Sequence, residues 1–429
     1  MAQVVIVNLW GKRLGALSED ERTGNLIFQY DKNFLSLGLN VSPFHMDIED
    51  GDRIYSFPDH NNNSTFKGLP GLLADSLPDN YGNAVIRAWL AANGRASTNL
   101  SPIETMLFIG SRGMGALEFE PASRKEPKRS SPVDVDNLVK IANRILNDRE
   151  NFSANLSKNE REALADIFKI GVSAGGARAK AIIAYNPKTK EVRSGQVKAP
   201  RDFSYWLIKF DGVTDKQLGE TYGYGRVEMA YSLMAKQAGI NMTECMLLEE
   251  NNRAHFMTKR FDRDEDGNKI HMQSFCALRH FDYNEVGLYS YEQLFESMRT
   301  LGLHYQDAEQ LFRRMVFNVL SRNCDDHTKN FAFLMSPTGE WKLSPAFDVC
   351  HSYHPGSHWV SSQSLTVNMK RDSFSKDDFL MVAKKMNIKK AVHILDEVSS
   401  AIAQWDRFAN EVTVDTNLRQ AIKTTFISL

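Results

Sequence analysis

The sequence predicts an α+β chain whose N-terminal half mixes strands and helices and whose C-terminal half is mainly helical. Three observations carry this expectation. Short β-branched and aromatic runs alternate with helical periodicity as far as Phe261, apolar residues recur mainly at helical spacing beyond Tyr291, and a charged, proline-punctuated stretch at 124–132 interrupts the first half. At 429 residues the chain has room for roughly two to four compact units, each with its own core. The boundaries expected are 1–123, 132–261 and 262–429.

The largely apolar, β-branched run from Val4 to Trp10, a turn at Gly11 and Lys12, and a second apolar run from Leu14 to Leu17 predict an opening hairpin. After a polar loop at 59–64, Asp79 follows Pro78 as an N-cap for a helix through Val85, Ile86 and Trp89. Residues 124–132 have no apolar periodicity and read as a solvated linker. A helical stretch over 133–168 leads to strands at 181–185 and 206–210, with a turn at Asn186 and Pro187 between them. Met229, Leu233, Met234 and Ile240 are helically spaced, with Gly239 as a stop signal. A strand at 255–261 precedes a turn at 264–267, and helices follow at 291–301, 308–320, 376–385 and 394–408.

Lys and Arg total 52 against 53 Asp and Glu, a net charge of −1 that argues against a dedicated polybasic nucleic-acid or membrane binder. The start lacks a signal peptide's basic n-region and cleavage site, so a cytoplasmic chain is expected. Cys245, Cys276, Cys324 and Cys350 are isolated and read as reduced structural thiols. His351, His354 and His358 cannot share one helical face, because a proline and a glycine lie among them, which argues against a zinc site.

The chemistry concentrates in NCDDHTKN at 323–330. Phosphoryl transfer to an alcohol needs a carboxylate to orient the hydroxyl and oxygen ligands to hold magnesium on the phosphates. Kinases supply these as an Asp and, five positions later, an Asn. Asp325 and Asn330 have that spacing, and Asp348 in SPAFDV can supply a second metal carboxylate. The same stretch also reads as an N-capped polar loop, with Asp325 or Asp326 as cap. GVSAGGARAK at 171–180 can close backbone N–H groups on phosphate oxygens, with Arg178 and Lys180 adding charge, or can be an ordinary turn. Lys209 on a strand and Glu228 on the next helix match a kinase's phosphate lysine and its glutamate partner. Taken separately they are a snorkelling lysine and a solvated glutamate. The strand end Lys259, Arg260 and Phe261 can offer an apolar slot for a base, with Phe261 equally an ordinary core aromatic. Lys384, Lys385, Lys389 and Lys390 form a basic cluster, either a solvated helix end or a phosphate contact.

In the order SAGGARAK, WLIKF, KRFDR, NCDDHTKN and SPAFDV, the chain resembles the HipA family of serine/threonine kinases, toxins of bacterial toxin–antitoxin modules. GLPGLLADSLPDN and GMGALEF resemble the family's N-terminal subdomain more loosely. The resemblance implies a two-lobed, protein-kinase-like fold using ATP and Mg2+. It implies Asp325 as catalytic base and Asn330 and Asp348 as magnesium ligands. ATP would be bound by Gly175, Gly176, Ala177, Arg178, Ala179, Lys180, Lys209, Lys259, Arg260, Phe261, His327, Lys329, Asn330, Phe347 and Asp348. Ser173 matches the serine that family members phosphorylate on themselves, silencing the kinase, whereas Ala179 departs from the larger or more rigid residue relatives often carry. The implied partner is a small helix-turn-helix antitoxin, HipB-like, which would make most of the operator DNA contact, and the implied substrates include aminoacyl-tRNA synthetases. A nucleotide-binding corepressor scaffold and a small-molecule kinase are the alternatives.

Overall fold

The computed structural model describes residues 3–95, 100–121, 130–147, 156–171, 178–214 and 222–429. These form two compact units, one of residues 1–40, 46–225 and 245–271 and one of residues 41–45, 226–244 and 272–429.

The first unit holds two antiparallel five-stranded sheets. In the first, ordered β4-β3-β2-β1-β5, the hairpin of β1 (Val5–Leu9) and β2 (Lys12–Glu19) is flanked by β3 (Leu26–Tyr30), β4 (Tyr55–Ser56) and β5 (Leu117–Glu120). Val5, Val7 and Leu9 are fully buried while Ile6 and Asn8 are partly exposed, the period-2 pattern of a strand covered on one face. The second sheet, ordered β7-β6-β8-β10-β9, contains β6 (Lys180–Tyr185), β7 (Val192–Ser194), β8 (Ser204–Lys209), β9 (Cys245–Glu250) and β10 (Arg253–Lys259). Its apolar residues Ala181, Ile183, Trp206, Ile208 and Met257 share one buried core with residues of the helices Asn80–Ala92, Val135–Asn147 and Lys158–Ile170. Asp79 caps the first of these helices, accepting from the Gly82 N–H at 2.6 Å, and Ser157 and Glu160 close a capping box on the third. Inside the core Phe168 stacks on Trp89 with centroids 4.6 Å apart.

The second unit is helical around a three-stranded sheet, β11-β12-β13, of β11 (His271–Ser274), β12 (Ala332–Met335) and β13 (Trp341–Leu343). The helix Tyr305–Leu320 buries Leu311, Phe312, Met315, Val316, Phe317 and Val319. Tyr231 packs edge-on against Phe317 and Trp405, and its hydroxyl donates to the Ser321 carbonyl at 2.6 Å.

The α+β expectation holds, with several boundaries moved. Among the described residues, the helical stretch expected over 133–168 holds the helices Val135–Asn147 and Lys158–Ile170. Residues 124–129 of the expected linker lie outside the described residues; at its end Ser130 is buried with its hydroxyl on the Ser194 carbonyl and Pro132 bridges to Arg193, so 130–132 are not a solvated linker. The strand expected to end at Phe261 ends at Lys259, since Arg260 turns inward to pair with Asp262. The helix expected over 394–408 is two, Ala391–Ile402 and Trp405–Glu411; past the break, Trp405 Nε1 donates to the Arg419 carbonyl. Glu228 is buried, not solvated. No helix among the described residues is long and apolar enough to cross a membrane.

Candidate active site

In the second unit the helix Tyr305–Leu320 runs into the loop that carries NCDDHTKN, and a buried polar network fixes that loop. Asn323 donates from its backbone to the Asn318 carbonyl at 2.9 Å and from Nδ2 to Asn318 Oδ1 at 3.0 Å. Asn318 Nδ2 donates to the Tyr291 hydroxyl at 3.0 Å, and that hydroxyl donates to Asp326 Oδ2 at 2.7 Å. Gln363 Nε2 lies 3.0 Å from both Asp326 Oδ2 and the Asn323 carbonyl, and the Ser364 N–H donates to Asp326 Oδ1 at 2.7 Å. A buried polar group is expensive unless hydrogen-bonded, so this arrangement admits few alternatives. Burial pushes the Asp326 carboxyl up to about 7, against the pull of the hydrogen bonds from Tyr291, Gln363 and Ser364. The Tyr291 hydroxyl rises well above its usual range through burial and the neighbouring Asp326.

The anchored Asp326 leaves its neighbour Asp325 facing outward, with a side chain 45% exposed. Asn330 Nδ2 donates to the Asp325 carbonyl at 2.7 Å, which closes the five-residue turn between them. With Nδ2 committed there, Oδ1 is the Asn330 atom left to offer a cation. Asn330, Phe347 and Asp348 line one small pocket together with Asp326, Asn318, Asn323 and Arg314. Asp348 sits at φ 55°, a left-handed conformation that Asp tolerates better than most residues and that turns up at functional positions. An Asn and an Asp on one pocket suit magnesium, a hard cation that takes one or two protein oxygens and fills its octahedron with water and phosphate. Among the described residues no group of three or more His, Cys, Asp or Glu could hold a metal. His327 Nε2 lies 3.7 Å from Asp325 Oδ1, and Lys329 Nζ is 5.4 Å from the Tyr283 ring centroid.

The first unit carries the other expected site residues. Lys180 and Lys209 are register partners on β6 and β8, so their side chains share a face of the sheet. Lys180 is 2% exposed, with its ammonium 3.5 Å from Asp79 Oδ2, so the cap of the helix Asn80–Ala92 doubles as the partner of a buried cation. Lys209 is half-buried, its Nζ 5.9 Å from the Phe256 ring centroid. Gly225, at the start of the helix Tyr224–Gln237, allows close approach to β10, since a Cβ there would collide with the Ala254 carbonyl oxygen. Two residues past Lys209, Asp211 accepts from the backbone N–H groups of Gly223 at 2.9 Å and Ala254 at 3.1 Å. The Arg178 guanidinium lies 4.6 Å over the Tyr224 ring. Ser173, Gly175, Gly176 and Ala177 lie outside the described residues. All four lysines of the 384–390 cluster are exposed. His351 Nε2 lies 3.0 Å from Thr425 Oγ1.

Sequence reasoning did not single out Tyr291, Gln363 or the anchoring role of Asp326. The doubled aspartate in NCDDH was the available signal, since two adjacent carboxylates on one loop cannot both face the same way.

The family description "HipA-like C-terminal domain" matches residues 172–405, and "HipA N-terminal domain" matches residues 5–120. A Haemophilus influenzae protein named "Putative kinase" is 27% identical over 209 residues, 42% of this chain and 61% of that protein. "Putative kinase Y4mE" of Sinorhizobium fredii is 21% identical over 199 residues, 43% of this chain and 47% of that protein. The chain thus spans about half to three fifths of the length of these curated relatives. The solved complex of the Shewanella oneidensis toxin–antitoxin system HipA, HipB and its operator DNA contains a chain of similar fold. The TM-score is 0.67 at 17% identity, covering 98% of this chain and 95% of that one.

Proposed function

The chain belongs to the HipA family, and from that premise we propose that it is an ATP- and magnesium-dependent protein serine/threonine kinase, the toxin of a toxin–antitoxin module. The observation that carries this reading is the convergence of Asn330, Phe347 and Asp348 on one pocket, with the Asn330 amide holding the carbonyl of Asp325. Asp325 accepts a hydrogen bond from the substrate hydroxyl, orients its oxygen and takes its proton as the oxygen bonds to the γ-phosphorus and the bond to ADP breaks. The network through Asp326 and Tyr291 keeps the loop rigid while this happens, so little reorganisation is needed at the moment of reaction. Asn330 and Asp348 would hold magnesium, which when bound neutralises charge on the phosphate oxygens. Lys209 would contact the phosphates, residues 175–180 would cradle them, and Lys259, Arg260 and Phe261 would line the adenine. Lys209 lies on the same face of the sheet as Lys180, whose ammonium Asp79 already meets.

The same reading gives a small helix-turn-helix antitoxin as partner, a protein substrate from the class that includes aminoacyl-tRNA synthetases, and Ser173 as the site of self-phosphorylation. The Shewanella protein was solved with HipB and operator DNA, which supports the partner.

Asp325→Ala and Asp348→Ala are expected to fold and to lose transfer of labelled phosphate from ATP, by about 10²- to 10⁴-fold for the base. Transfer at the wild-type rate by either variant rejects the assignment. Incubation with ATP and magnesium is expected to add one phosphate at Ser173, read by intact-mass and peptide spectra; no added mass, or mass only elsewhere, rejects that part.

A further inference from the structure

The segment following β10 is tied to the N-terminal sheet by buried charge. Asp262 is fully buried and accepts four hydrogen bonds: Arg260 Nε at 2.8 Å on Oδ1, and Arg260 Nη2 at 2.6 Å, Arg263 Nη1 at 2.9 Å and the Gly115 N–H at 2.7 Å on Oδ2. Arg263 Nη1 returns to the Gly115 carbonyl at 3.0 Å. Lys269 Nζ donates to the Ser111 carbonyl at 2.6 Å and to Glu118 of β5 at 2.7 Å, and Trp10, in the β1–β2 turn, donates from Nε1 to the Lys269 carbonyl at 3.0 Å. Burial works to raise the Asp262 carboxyl, but Arg260 and Arg263 outweigh it and hold it well below the carboxylate range. Burial and the Arg260 charge bring Arg263 down to about 10.

A buried ion cluster stripped of one partner leaves a charge uncompensated, so such a joint holds a single geometry. The Arg260 guanidinium is committed to Asp262, and the Arg260 N–H to the Tyr205 carbonyl at 2.9 Å. The Arg260 side chain therefore serves as an anchor for the segment that carries Lys259 and Phe261.

We propose that the N-terminal sheet sets the chain's affinity for ATP by fixing residues 259–263, with Asp262, Arg263, Lys269 and Trp10 as positioning residues. This rests on the reading of residues 259–261 as the adenine contact.

The test compares ATP dissociation constants, by calorimetry on the full chain, and steady-state kinetics for wild type, Arg263→Lys, Trp10→Phe and Leu14→Ala. Arg263→Lys keeps the charge but removes the fork that sets Nη1 on Asp262 and Gly115 and Nη2 on the Gly113 carbonyl, and Trp10→Phe removes one donor with little change in packing. Leu14 is a fully buried residue of β2 in the same sheet that makes none of the hydrogen bonds named at the joint. Both joint variants are expected to raise Kd and KM for ATP roughly five- to twentyfold, with kcat at saturating ATP within roughly twofold of wild type. Leu14→Ala is expected to lower the melting midpoint and leave Kd unchanged. Should Arg263→Lys fail to fold, Trp10→Phe decides. Wild-type Kd in the folded joint variants overturns the proposal and leaves the kinase reading standing. Equal weakening by Leu14→Ala overturns it as a mere stability effect, and a wild-type chain that binds no ATP overturns both.

Discussion

The Tyr291 hydroxyl donates to Asp326 across 2.7 Å, and Asn318 donates to the same hydroxyl at 3.0 Å, so one phenol joins two helices to the loop that carries Asp325. The outward-facing carboxylate proposed as the base is held by its inward-facing neighbour.

Tyr291→Phe removes that hydroxyl from a fully buried position and leaves Asn318 and Asp326 each short of a partner. The expected loss is about 1–3 kcal/mol of unfolding free energy. Urea titration checks it, and an unchanged midpoint would mean that the network rearranges freely.

Asp326 makes the stability of the fold depend on pH. Its folded value, about 7, lies above the ordinary 3.8. The carboxyl therefore stabilises the fold fully below about pH 4, and its contribution is lost as pH rises through about 7. Asp326→Asn stays neutral, so its stability relative to wild type should shift in the variant's favour by on the order of a few kcal/mol between pH 4 and pH 8. Denaturant midpoints of both proteins at several pH values read this directly; a constant offset contradicts it.

Lys180→Met strands Asp79 in a position 7% exposed. Breaking a buried pair by removing one partner costs about 3–5 kcal/mol, whereas Lys180→Met with Asp79→Asn should lose less than the sum of the single changes. Chemical denaturation of the four proteins completes the cycle, and strict additivity would show that the two side chains do not interact.

The helices and strands with clean periodicity were legible: Asp79 as a cap, the opening hairpin, and the helices that begin near 291 and 376. What escaped has a common cause. The Asp262 joint, the Lys180–Asp79 pair and the Asp326 network each join residues far apart in the chain, and periodicity carries no information about such partners. Spacing brought Asp325, Asn330 and Asp348 to notice because kinase chemistry fixes their types. It said nothing of Tyr291 or Gln363, whose work is to hold rather than to react. Spacing places KRFDR at a strand end and is silent on its partner at Gly115.

Residues 41–45 lie within the stretch matched by the N-terminal family domain, yet they belong to the helical unit. There the Val41 carbonyl accepts from Gln273 at 2.6 Å, Phe44 lies under the Arg279 guanidinium at 4.7 Å, and His45 stacks on His280 with centroids 3.8 Å apart. A chain shortened to begin after residue 121, to isolate the kinase half, would lack this segment and expose the surface it covers. The boundary suggested by the family match is therefore the wrong place to divide the polypeptide, and the gene is best expressed, mutated and crystallised whole.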